Sequence, residues 1–303
     1  MRNYIRDIII KGSGLFALCI LLAAGMALPV SAAEGDVAVA LGEDLKPEER
    51  ASVLEQLEIT EEDLAGYTVV SVSNEEEHEY LGGYLDANVI GSRALSCVMV
   101  IAGEEGSGLE VTTKNISYCT IGMYRNALIT AGVEDAEVIV AGPFPISGTA
   151  ALIGVTKAYE AMTGTEVSKE SLETASNELV LTGELAQSVG DSEKAEELMA
   201  AIKQAVAASG IESAEDVEAL IKQVQEELDI TLTEEDTAKI MALVDKLKTL
   251  DLDSDALKEQ AQDIYNKIKD MDITITQDMK DSIGNFFTGI LDKVLKLLGG
   301  FLG

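Results

Sequence analysis

From Tyr67 to Ser73 the chain alternates β-branched and polar positions, which predicts a half-buried strand. Ala94 to Ala102 (Ala-Leu-Ser-Cys-Val-Met-Val-Ile-Ala) is apolar at nearly every position, as a central strand covered on both faces should be. Leu109 to Ile116 alternates again and is expected to be its hairpin mate across Gly103 to Gly108. From about Thr120 to Ala131 the apolar spacing becomes helical and stops at Gly132, a residue suited to a left-handed C-cap, before the short strand Glu137 to Ala141. Strand, helix and strand with short joints predict a βαβ crossover. Gly142 to Thr149 reads as a turn that launches a helix ending at Gly164. Upstream, Lys46-Pro47-Glu48-Glu49 and the capping box Thr60 to Asp63 mark two short helices within Asp44 to Gly66, and Asn74 is expected to cap a helix through Glu79.

Beyond Glu166 the pattern changes. Helix-start signals recur at Ser192, Ser213, Thr233, Ser254 and Thr274, and the segments between them keep helical periodicity, as in Leu220, Ile221, Val224, Leu228 and in Ile240, Leu243, Val244, Leu247. The expected architecture is therefore an α/β (or α+β) domain over 34–165 with a small mixed sheet, then an all-α domain over 166–303, a bundle or a short helical array. Its last segment, 276–303, is apolar but interrupted by Asp281, Asp292, Lys293 and Lys296, so it reads as an amphipathic helix that docks on the bundle or makes peripheral contact with a membrane.

The first residues add a destination. Arg2, Arg6 and Lys11, the apolar run Leu15 to Leu28 and the small residues Ser31-Ala32-Ala33 have the order of a secretory signal peptide, 1–33. Cys19 does not suggest a lipid anchor, because Leu18 precedes it where a lipoprotein signal needs a small residue. The chain carries a net charge of −32, and losing three bases against Asp7 makes the remainder more acidic still. Nucleic acid and anionic surfaces are thereby excluded as general partners, whereas cations and basic polymers are not. With 47% hydrophobic residues the chain is rich enough in apolar groups to build a core.

Candidate chemistry is sparse. Cys97 and Cys119 are the cysteines left after the leader, and on the hairpin reading their offset is too long for a bridge at about 3.3 Å per residue unless the chain bends back after Asn115; two buried thiols are the first expectation and a disulfide the alternative. His78 is the only histidine and lies among acids, where a solvated role is the simplest. Asp251, Asp253 and Asp255 imitate a calcium loop but fail at its sixth position, Ala256, and its twelfth, Gln262, so no metal or cofactor is expected beyond weak, non-specific Ca²⁺ binding. Ser147-Gly148-Thr149 lies at a strand-to-helix turn, where N–H groups and the helix dipole could hold a ligand; it has neither the P-loop nor the Gly-x-Ser-x-Gly pattern.

Asn74-Glu75-Glu76-Glu77-His78-Glu79-Tyr80-Leu81, Tyr124 to Ala136, and Ser147 to Leu152 with Lys157-Ala158-Tyr159-Glu160 resemble the YpuA-like family of secreted bacterial proteins, domain of unknown function number 1002. The resemblance spans roughly 41–190 and implies export and a shared fold; it implies no activity, substrate or catalytic residue. The function expected from all this is an extracellular or cell-envelope binding module with no catalytic set, its partner an envelope component or protein. The alternative is an enzyme with its site at Gly142 to Thr149.

Overall fold

The computed structural model describes residues 32–33, 35–209, 213–250 and 252. The signal segment, the starts at Ser254 and Thr274, the Asp251 to Gln262 run as a loop and the 276–303 helix lie outside the described residues.

One mixed five-stranded sheet organises the first half. Its strands are β1 (Val37–Gly42), β2 (Thr68–Val72), β3 (Cys97–Ala102), β4 (Leu109–Ile116) and β5 (Ala136–Ile146), in the spatial order β2-β1-β3-β5-β4. The outer pairs, β1 with β2 and β4 with β5, are parallel, and β3 joins them antiparallel on both sides. Each parallel pair is linked through helix: α1 (Pro47–Gln56) between β1 and β2, and α4 (Ile121–Ala131) between β4 and β5. The second of these is the expected crossover, with Gly132 left-handed at its C-cap.

The doubly apolar β3 occupies the centre, as its sequence demands. Val98, Val100 and Ala102 face the core beneath α4 and α5 (Ala150–Thr163), while Cys97 and Met99 face Val53 and Leu54 of α1 and its C-cap residue Leu57. Gly154 lets α5 lie close on the sheet, since a Cβ there would stand 3.3 Å from the Ala40 Cβ and 3.4 Å from Val98 Cγ2.

Three expectations need correction. β3 and β4 are not a hairpin: β5 lies between them, with Ala136 opposite both Ala102 and Leu109. β5 carries Val138, Val140 and Ala141 and claims the buried slot, leaving the edge to β4 with Glu110, Thr112, Thr113 and Lys114. Asp135 fixes this path by accepting from the Gly106 and Gly108 N–H groups at 3.0 and 2.9 Å. Next, Ser73 rather than Asn74 caps α2 (Asn74–Leu81), in a capping box with Glu76. Finally, most of Gly142 to Thr149 is strand: β5 continues through Pro143 and Pro145, beyond Ala141, where β3 stops pairing and a missing N–H breaks nothing on that side. β1 was not foreseen, and neither was the single-turn helix α3 (Ala87–Ile90).

The two cysteines are free and buried, Cys97 in the core under α1 and Cys119 in the core on the other face.

The second half is helical: α6 (Lys169–Val189), α7 (Ser192–Ser209), α8 (Ala214–Leu228) and α9 (Glu234–Leu247). Ser213 and Thr233 cap α8 and α9 as their sequence signals require. Helix α6 serves two cores, with Leu172, Ala175 and Leu179 against the sheet side and Leu181 and Leu185 against α7 to α9. The described residues from Ala32 on belong to one compact unit.

Candidate functional site

The end of β5 meets the start of α5 at Ser147 and Gly148. Gly148 turns the chain with a φ of +89°, and a Cβ there would stand 2.6 Å from Ile116 Cγ2 and closer still to the Tyr124 hydroxyl. Tyr124 Oη donates to the Gly148 carbonyl at 2.6 Å, which fixes the turn from beneath.

The N–H groups at the start of α5 already face an acid. Glu77 of α2, only 2% exposed, accepts from Thr149 Oγ1, from the Ala150 backbone N–H and, weakly, from Asn74 Nδ2 at 3.4 Å. The protein thus supplies its own carboxyl to a helix N-terminus, where N–H groups and dipole favour negative charge. Burial pushes Glu77 above the usual carboxylate range, and the bonds from Thr149, Asn74 and Ala150 oppose that rise. The neighbouring Glu76 bridges α2 to Lys157 of α5 at 2.5 Å, holding both helices in place.

Ser147 Oγ lies 3.2 Å from Thr149 Oγ1, so a hydrogen-bonded chain runs from Ser147 through the fully buried Thr149 to Glu77. Ser147 borders an open cleft of about 460 Å³, within the range that holds a small molecule. One wall is the 88–93 segment with Leu95 and Ser96; the other is Ser117, Tyr118 and Pro145 to Ser147; Glu77 and Ala150 complete the lining. The first wall is pinned at two points. His78 Nε2 is 3.0 Å from the Gly91 carbonyl oxygen, and Arg93 binds the Glu49 carboxylate and, at 2.7 Å, the Asp44 carbonyl. The Arg93 guanidinium holds the Glu49 carboxyl below its usual range.

Of the three residues singled out from sequence, Ser147 lines the cleft, Gly148 shapes the turn and Thr149 lies buried behind it. His78 is not a base for Ser147: its ring anchors the opposite wall. Burial pushes both the Cys97 and the Cys119 thiols up to about 12, so neither is a thiolate nucleophile at neutral pH. No group of three or more His, Cys, Asp or Glu among the described residues is placed to hold a metal. Sequence reasoning missed Glu77, which shares a helix face with the buried Leu81 four residues on; that spacing was the available signal.

The arrangement can hold a small polar ligand between hydroxyl-bearing walls. A family model described as "Protein of unknown function (DUF1002)" matches residues 41–264. A protein of Bacillus subtilis (strain 168), "Uncharacterized protein YpuA", is 46% identical over 179 residues, 59% of this chain and 60% of its own length. The chain therefore matches less than two thirds of that relative. No solved structure matches. These matches bear out the resemblance seen at Asn74 to Leu81, Tyr124 to Ala136 and Ser147 to Leu152, and the chain belongs to the DUF1002 family.

Proposed function

We propose that this protein is an exported binding module of the cell envelope whose ligand sits in the cleft beside Ser147. The leader-like 1–33 segment and the net charge of −32 support export and argue against nucleic-acid partners. Among the described residues no helix is long and apolar enough to cross a membrane. The observation that carries the binding reading is the 460 Å³ cleft, bordered by a strand end and a helix start whose geometry is fixed by buried bonds. On this reading the 34–165 domain holds the site and the helices after 166 support it.

Two experiments test the proposal. Mass spectrometry of the envelope and culture medium is expected to find a chain beginning at about Glu34; a cytoplasmic protein retaining 1–33 overturns export. Small-molecule screening by NMR of the full mature chain is expected to shift resonances of Ser96, Tyr118 and Ser147 together. Hits that shift only other surfaces overturn the cleft.

A second reading, catalysis at the same turn, is favoured by the chain from Ser147 to the buried Glu77 carboxyl. Turnover of chromogenic esters or glycosides that disappears in Ser147→Ala and Glu77→Gln would establish it, and turnover unchanged in both removes it.

A further inference from the structure

Two serine hydroxyls on one wall of the cleft have their protons committed. Thr149 Oγ1 gives its single proton to Glu77 Oε1, so its 3.2 Å bond with Ser147 must take the Ser147 proton. Three donors converge on Glu77, from Thr149, Asn74 and Ala150, a set that favours the ionised carboxylate against the cost of its burial. Ser117, also in the lining, donates to the Ile146 carbonyl at 2.9 Å. Both serines on this wall therefore turn lone pairs outward. The one cationic side chain of the lining, Arg93, is neutralised by Glu49. The chain as a whole is strongly acidic, with a net charge of −32.

We infer that the cleft takes a cationic donor, an organic ammonium group, with Ser147 Oγ and Ser117 Oγ accepting its N–H protons above the Glu77 carboxylate. The acidic field draws cations in and repels carboxylates and phosphates, to which neither Ser147 nor Ser117 offers a proton. Val89, Ile90 and Pro145 supply the apolar surface for the carbon skeleton. This inference rests on the cleft being a binding site and specifies what it binds.

The test is a matched series that changes one group: cyclohexylammonium, cyclohexanol and cyclohexanecarboxylate, titrated into the full mature chain at neutral pH and followed by NMR shifts at the cleft. The ammonium is expected to bind about tenfold more tightly than the alcohol, with the carboxylate weakest, since hydrogen bonds to charged groups are worth more than neutral ones. Ser147→Ala should lower the ammonium affinity roughly fivefold and leave the weak carboxylate binding unchanged. Thr149→Val, its fold checked by circular dichroism, frees the Ser147 proton and should narrow the ammonium-to-carboxylate ratio. Shifts confined to the cleft with the alcohol or carboxylate tightest, or an unaltered ratio in Thr149→Val, overturn the ammonium assignment and leave the binding reading standing. Shifts located elsewhere overturn the binding reading itself. No cleft shift with any probe up to its solubility limit overturns the ammonium assignment.

Discussion

Glu77 and Glu178 are both buried carboxyls, and burial pushes both above the usual range, but their surroundings differ. Glu178 of α6 is 0% exposed and faces Lys203 of α7 at 3.0 Å, with Thr130 of α4 donating to its other oxygen at 2.5 Å. Lys203 also donates to the Asn126 carbonyl at 2.5 Å, so a countercharge and a ring of bonds seal three helices together. Among the described residues Glu77 makes no ion pair with a lysine or arginine; it is held by a hydroxyl, an amide and a backbone N–H, and one of its neighbours opens on a cleft. The contrast separates two uses of buried charge. A paired acid in a closed core fixes how helices meet, because neither partner tolerates the loss of the other. An acid met by neutral donors at a cavity orients the groups a ligand would touch.

Breaking the sealed pair should cost most. Lys203→Ala leaves Glu178 uncompensated and is expected to lower stability by about 3–5 kcal/mol in urea unfolding, whereas Lys203→Met combined with Glu178→Leu should recover most of it. A single-variant cost near zero would mean that the pair does not hold the helices.

At the cleft the largest effect should come from Gly148→Ala, about 2–3 kcal/mol, from a left-handed φ and a Cβ driven into Ile116 and Tyr124. Thermal unfolding checks it, and a neutral result would show that the turn can relax. Glu77→Ala should cost about 2 kcal/mol by stranding Thr149 and the Ala150 N–H, less than Lys203→Ala because no opposite charge is left behind. If it costs more than Lys203→Ala, the contrast between the two acids fails.

A smaller, pH-dependent effect sharpens the comparison with a third acid. Glu197 of α7 is pushed up to about 7 by burial and then by Glu193, Asp191 and Glu196. The folded state therefore holds its proton longer than the unfolded chain, whose ordinary value is 4.5. That contribution is complete below about pH 4.5 and is lost as the pH climbs to about 7. Glu197→Gln, always neutral, should gain on the unmodified protein across this window by on the order of 1 kcal/mol. Melts of both proteins at either end of the window test this, and a pH-independent difference refutes it.

Much of the fold was legible because it rests on local rules. The doubly apolar 94–102 run had to be central, Gly132 and Gly164 had to end helices, and Ser213 and Thr233 had to begin them. Strand pairing was not local. β3 and β4 are adjacent in sequence and suited to a hairpin, yet β5, arriving after α4, competes for the same edge and buries more apolar surface. The site divided in the same way: Ser147, Gly148 and Thr149 stood out at a strand-to-helix turn, but Glu77, 70 residues upstream of Ser147, did not.

By itself the sequence determined the element types, the caps, the acidic surface and membership of the DUF1002 family, because each depends on neighbours within a few residues or on composition. Only the tertiary structure decided the strand order, the partner of Glu77, the pairing of Glu178 with Lys203 and the link from Ser147 through Thr149 to Glu77. Those outcomes follow from which surfaces exclude water together, and packing sets that across the whole chain.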